Sequence, residues 1–147
     1  EYYCERDMII SRIKQGLLYI FGRYNEKNND IVKTILSDEE FEMFNSMSRY
    51  EKIHSFRLYN FLLKNEVLKD DKLFFKLALL HDCGKKSPSL FKRMKKVILG
   101  DRELENHSED GFNKLKDINY ELAILCKNHH IKSEDKKMQE FQKLDDK

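Results

Sequence analysis

The most constraining stretch of the chain is residues 71–85, DKLFFKLALLHDCGK, where a strongly apolar segment free of Gly and Pro runs directly into His81-Asp82. A helix over 70–82 sets His81 in line with Leu77 and Leu73, and Asp82 in line with Ala78 and Phe75, by the spacing of one helical face. Both polar side chains then point into the core. Gly84 is placed to close this helix in the left-handed conformation, and Pro88 to prevent its resumption. A buried carboxylate is costly unless something positive meets it. A divalent cation is one such partner. A core histidine hydrogen-bonded to a helix-end aspartate is the plainer alternative, and the remaining histidines decide between them.

At 147 residues the chain has the size of one domain with a single core. Charged residues make up 37% of it, so the surface is well solvated, and a formal net charge of +2 gives no general case for nucleic acid or membrane binding. Lys outnumbers Arg 21 to 7, whereas sites that grip bases or phosphates bidentately favour Arg, so the positive charge reads as solubilising surface. The three cysteines, Cys4, Cys83 and Cys126, are odd in number and widely spaced; they suggest neither a disulfide framework nor a zinc knuckle, and point to a reducing cytosol. The longest apolar runs, LLYIF at 17–21 and LALL at 77–80, are too short to cross a bilayer, and no cleavable signal peptide is visible. The expectation is a cytoplasmic protein with no membrane and no nucleic-acid partner, its oligomeric state left open.

Five Gly, one Pro and helical periodicity almost everywhere predict an all-α fold, a compact helical bundle. Residues 5–21 repeat apolar positions at Met8, Ile9, Ile13, Leu17 and Ile20, NEKNND at 25–30 reads as a turn, and a short helix over 31–36 follows. Ser37 with Glu40 forms a capping box that opens a helix over 38–45. Residues 1–45 are expected to pack as helices on a functional core at 49–147, the two together forming one domain.

A helix over 49–64 places Tyr50, His54, Arg57, Leu58 and Phe61 on one face, so His54 looks inward with Arg57 one turn away. An inward Arg needs an anion, either a structural carboxylate or a substrate phosphate. Residues 85–96 carry Lys85, Lys86, Lys92, Arg93, Lys95 and Lys96 with no acid; such a run is usually a solvated face, and here it also stands where it can concentrate an anionic substrate. His107 precedes Ser108, a candidate N-cap for a helix through Phe112 and Leu115. A helix over 119–130 carries Leu122, Leu125 and His129 on one face with Ala123, Cys126 and His130 adjacent. In the last helix Asp145 falls on the apolar stripe one turn after Phe141, with Asp146 about 100° away.

His54, His81-Asp82 and Asp145, in that order and each expected inward on a helix, make the chain resemble the HD-domain superfamily of metal-dependent phosphohydrolases. HDCGK at 81–85, His-Ser-x-x-Gly at 107–111 and the His129-His130 doublet extend the resemblance, which covers roughly residues 49–147 and uses every histidine of the chain. It implies that His54, His81, Asp82 and Asp145 hold one metal and that His107, His129 and His130 hold a second, with Asp82 bridging. Imidazole and carboxylate ligands suit Fe, Mn, Co, Ni or Zn better than Mg, so one or two divalent transition-metal ions are expected. Lys85 closes the motif and is a candidate phosphate contact, or a helix-end Lys set against the helix dipole. Two departures narrow the resemblance: residues 131–137 read IKSEDKK where the cyclic-di-GMP phosphodiesterases of the superfamily carry a Gly-Tyr-Pro motif, and Tyr50 stands where some dinuclear relatives carry an additional Glu ligand.

The activity so implied is hydrolysis of a phosphoester in a small phosphorylated compound, foremost a nucleotide, by metal-activated water, with Asp82, Lys85 and Arg57 as the catalytic residues. Two rivals share the same ligand set: a di-iron oxygenase, and a non-catalytic module that binds nucleotide and metal for regulation.

Overall fold

The computed structural model describes residues 2–85 and 107–147; Pro88 and the basic run after Lys85 lie outside the described residues. Among these the chain is all-α, as its periodicity predicts, with no strand. The helices are α1 (Tyr2–Phe21), α2 (Asn29–Ile35), α3 (Asp38–Asn45), α4 (Arg49–Leu63), α5 (Lys72–Leu80), α6 (His107–Leu115), α7 (Tyr120–Asn128) and α8 (Lys136–Asp145), with a single 3-10 turn at Glu26–Asn28.

Helix α5 is the hub. It is apolar almost all round, and Phe74, Phe75, Leu77, Ala78, Leu79 and Leu80 are all buried, which requires neighbours on every side. They are α2, α3, α4 and α7, while α8 packs on α4 and α6 on α7. Asp71 starts the helix by accepting from the Phe74 amide at 3.2 Å. The predicted span of 70–82 is therefore trimmed at both ends, and His81 and Asp82 sit in the turn just beyond the last helical residue. That turn tightens through bonds from the Cys83 amide to the Leu80 carbonyl and from the Lys85 amide to the Asp82 carbonyl, each 3.0 Å.

Gly84 does not adopt the left-handed conformation expected of it. Its glycine is required by contact instead: a Cβ there would stand 2.1 Å from the His107 carbonyl oxygen and 2.4 Å from the Gly111 amide nitrogen, so the turn after α5 lies backbone to backbone on α6.

Three further helices begin at side-chain caps: Ser48 for α4, Asn119 for α7 and Asp135 for α8. The Ser37–Glu40 capping box is present as read from the sequence. Glu40 is buried and also receives Lys76 of α5 at 2.7 Å, tying α3 to the hub. On α4 the buried face is Glu51, Ser55, Leu58, Tyr59 and Leu62, so Tyr50, His54, Arg57 and Phe61 form a half-buried edge rather than the centre of the contact. Helix α1 packs against α4, yet its Met8, Ile9, Ile10, Ile13 and Leu17 are exposed.

Candidate metal centre

His81 and Asp82 emerge at the C-terminal end of α5, His54 from the edge of α4, Asp145 from the last turn of α8, His107 from the first turn of α6, and His129-His130 from the end of α7. These five elements meet at one end of the bundle. In the first cluster, His54 Nε2 is 2.9 Å from Asp145 Oδ1. His81 Nε2 is 3.2 Å from the same oxygen and 3.3 Å from Asp82 Oδ2. His54 Nε2 is 3.9 Å from Asp82 Oδ2. In the second cluster, His107 Nε2 lies 3.3 Å from His129 Nε2 and 3.1 Å from His130 Nε2.

Asp82 belongs to both. Its Oδ2 faces His54 and His81, and its Oδ1 is 3.5 Å from His107 Nε2. Lys85, one turn on, brings its ammonium to 3.2 Å from Asp82 Oδ2. Each cluster gathers three ligand atoms within 4.8 Å of one another: His54, His81 and Asp82 in one, His107, His129 and His130 in the other. His81, Asp82, His107 and His129 are the buried floor, whereas His54, Lys85 and Asp145 are partly exposed and His130 is exposed, so the site opens to solvent along that rim.

Backbone carbonyls fix the tautomers of the two floor histidines at the helix ends. His81 Nδ1 is 2.9 Å from the Ala78 carbonyl oxygen, and His129 Nδ1 is bonded to the Cys126 carbonyl. An imidazole that donates through Nδ1 presents the bare lone pair of Nε2, the arrangement that orients metal-ligating histidines. For His81 that nitrogen faces the carboxylate oxygens of Asp82 and Asp145. His81 Nε2 and Asp82 Oδ2 are both buried and neither makes a hydrogen bond. Against its burial, Asp82 and Asp145 raise the His81 pKa well above the ordinary imidazole value, so without an ion a proton on His81 meets their charge, and a metal ion at the same place would take that role. The residues present therefore fit a metal, and the donor set of imidazoles and carboxylates fits a first-row transition ion.

The electrostatics agree. Burial alone would push the Asp82 carboxyl up, but His81 and Lys85 beside it hold it well below the usual carboxylate range. Asp145 is depressed in the same way against its burial, by His81 and His54. Burial, with His81 and His130 nearby, drives His129 down to about 3, and burial also lowers His130. His129 and His130 are thus held neutral and able to ligate near neutral pH.

Arg57 is half-buried with its guanidinium over the Phe61 ring at 5.2 Å. Two expectations need correction. Ser108 is the second residue of α6 and buried, not its N-cap. His107 is itself helical rather than preceding the helix. The carbonyls of Ala78 and Cys126 were not singled out in the sequence. Each precedes its histidine by three residues in the last turn of a helix, and that spacing is the signal that could have found them.

Comparison with curated proteins and with solved structures gave no match. The family model for the HD domain matches residues 52–146, a span that holds His54, the His81-Asp82 pair, His107, the His129-His130 doublet and Asp145. The chain belongs to the HD domain family.

Proposed function

We propose that this protein is a metal-dependent phosphohydrolase that cleaves a phosphoester in a small phosphorylated compound, foremost a nucleotide, and that His54, His81, Asp82, His107, His129, His130 and Asp145 are its metal ligands. The observation that carries the reading is the pair of buried, unbonded atoms, His81 Nε2 and Asp82 Oδ2, at the meeting point of two imidazole clusters. Membership of the HD domain family supports it.

The chain's own residues divide the work. Asp82 offers one oxygen to each cluster, so a single carboxylate can serve two ions. Nδ1 bonding to helix-end carbonyls keeps His81 and His129 in the ligating tautomer without reorganisation. Lys85 offsets the negative charge of Asp82 and stands at the open rim, where its ammonium can meet a phosphoryl oxygen of an incoming substrate. The exposed His130 and the half-buried His54 and Asp145 bound the entrance that such a substrate would use. When bound, the metal supplies Lewis acidity: it acidifies water and neutralises the oxygens of the group being transferred. Arg57, one turn from His54 on α4 with its guanidinium over Phe61, is a second proposed phosphate contact.

Metal analysis of the purified protein, followed by phosphate-release assays across nucleotides with Mn or Co, tests the proposal. Turnover that disappears in Asp82→Ala together with metal uptake is the expected result. Oxygen consumption by the Fe-loaded protein with no phosphate release would replace it with redox chemistry.

A further inference from the structure

Helix α1 turns its apolar side away from the bundle. Ser11 donates to the carbonyl oxygens of Asp146 and Lys147 at 2.9 and 3.2 Å, which fixes the inward side. Ile9, Ile10, Ile13 and Leu17 share an arc of about 100° whose centre lies about 150° round the helix from Ser11. These four side chains are 42–54% exposed. Four large aliphatic groups contiguous on one helix face form a patch that a solitary soluble surface does not ordinarily present.

The charges beside the stripe specify what covers it. Asp7 and Lys14 flank it on one side, Glu5 and Arg12 on the other, and each flank carries one acid and one base two turns apart. Among the described residues none of these four is in an ion pair. When two copies of such a helix pair in antiparallel fashion about a two-fold axis, each flank meets the same flank run backwards. With the two-fold axis level with residue 11, Asp7 then faces Lys14 of the second copy, and Ile9 faces Ile13. Parallel pairing would set Asp7 against Glu5 and Lys14 against Arg12, acid on acid and base on base.

We infer that the outward face of α1 is a self-association surface, on which a second copy of this chain packs its own α1 antiparallel, Ile9, Ile10 and Ile13 forming the seam. The size is adequate: a helix of 20 residues is about 30 Å long, and two laid along each other bury roughly 1,200 Å², the lower bound for a stable interface. A two-fold contact of this kind is closed, so assembly stops at the dimer.

Sedimentation equilibrium of the full chain should give the mass of two chains at tens of micromolar. Ile13→Glu, at an exposed position, should leave the helical signal and melting of the monomer intact and weaken association about a hundredfold. Asp7→Lys alone should also loosen the dimer, and adding Lys14→Asp in the same chain should tighten it again. A wild-type chain that stays monomeric over this range overturns the inference, even if the stripe then takes up lipid vesicles or another protein. A dimer indifferent to Ile13→Glu overturns it too, and a double variant no tighter than Asp7→Lys overturns the antiparallel arrangement.

Discussion

The backbone of Gly84 lies against the carbonyl of His107 so closely that a single methyl group between them would stand 2.1 Å from the oxygen. This contact joins the turn that carries His81 and Asp82 to the helix that begins with His107, and so sets the two clusters at a fixed separation. The obstacle is backbone, which cannot rotate aside. Gly84→Ala should therefore destabilise the protein by about 3 kcal/mol and lower metal content as well. Gly111→Ala meets a thiol first, Cys126 Sγ at 2.7 Å, and a rotatable side chain yields more cheaply. It should cost about 1 kcal/mol. Urea unfolding of the two variants side by side checks the order; equal losses would mean that the Gly84 contact is not a special constraint.

Removing ligands from the floor and from the rim should have different consequences for metal content. Asp82 faces both clusters, so Asp82→Ala should leave the protein with little metal of any kind. His130 reaches only the second cluster, 3.1 Å from His107, and is exposed. His130→Ala should lower the stoichiometry by one ion while the first is retained. Elemental analysis of protein loaded with Mn or Co gives both numbers, and loss of all metal in His130→Ala would contradict two separable clusters.

Lys85→Met should separate substrate binding from metal binding. The ammonium lies 3.2 Å from Asp82 Oδ2 but is no ligand itself. Metal content should stay near the wild-type level while kcat/KM for phosphate release falls about tenfold to a hundredfold. Loss of metal in step with activity would make Lys85 a structural counter-charge for Asp82 alone.

Away from the centre, the Glu40–Lys76 pair gives the protein a pH-dependent component of stability. Burial by itself would raise the Glu40 carboxyl, but the hydrogen bonds from Lys76 and Ser37 outweigh it and hold the pKa below the ordinary value. A carboxyl depressed in the folded state stabilises that state above its unfolded pKa, and the contribution is lost as pH falls through the folded value. The Glu40 contribution to the urea midpoint should therefore hold from neutral pH to about pH 5 and fall away below about pH 4. Lys76→Met strands the buried carboxylate and should cost about 3 kcal/mol at neutral pH, with a smaller fall on acidification.

Much of this was legible in the residues because the candidate ligands other than His54 sit at helix ends, where local spacing fixes which side they face. Asp145 was separable from Asp146 by one helical step from Phe141, and the structure turns it onto His54 and His81. The rest depended on contacts between helices. The buried face of α4 is displaced by about one residue from the apolar pattern, taking in Ser55 and Glu51 and leaving Phe61 half-buried. That displacement leaves Arg57 on an aromatic ring at the edge. Gly84 reads as a helix stop in isolation; only the approach of α6, remote in sequence, reveals it as a spacer. The exposure of α1 has the same origin, since periodicity reports that a helix has an apolar side but not what lies opposite.

His81 and His129 are each tethered through Nδ1 to the final turn of the helix they follow. Fraying of either helix by one turn frees the imidazole to rotate and takes a lone pair out of the cage. Loss of the ion on mild warming or at low denaturant should then precede the melting of the bundle, so chelator-accessible metal is a gauge of order at two helix termini before it is a gauge of folding.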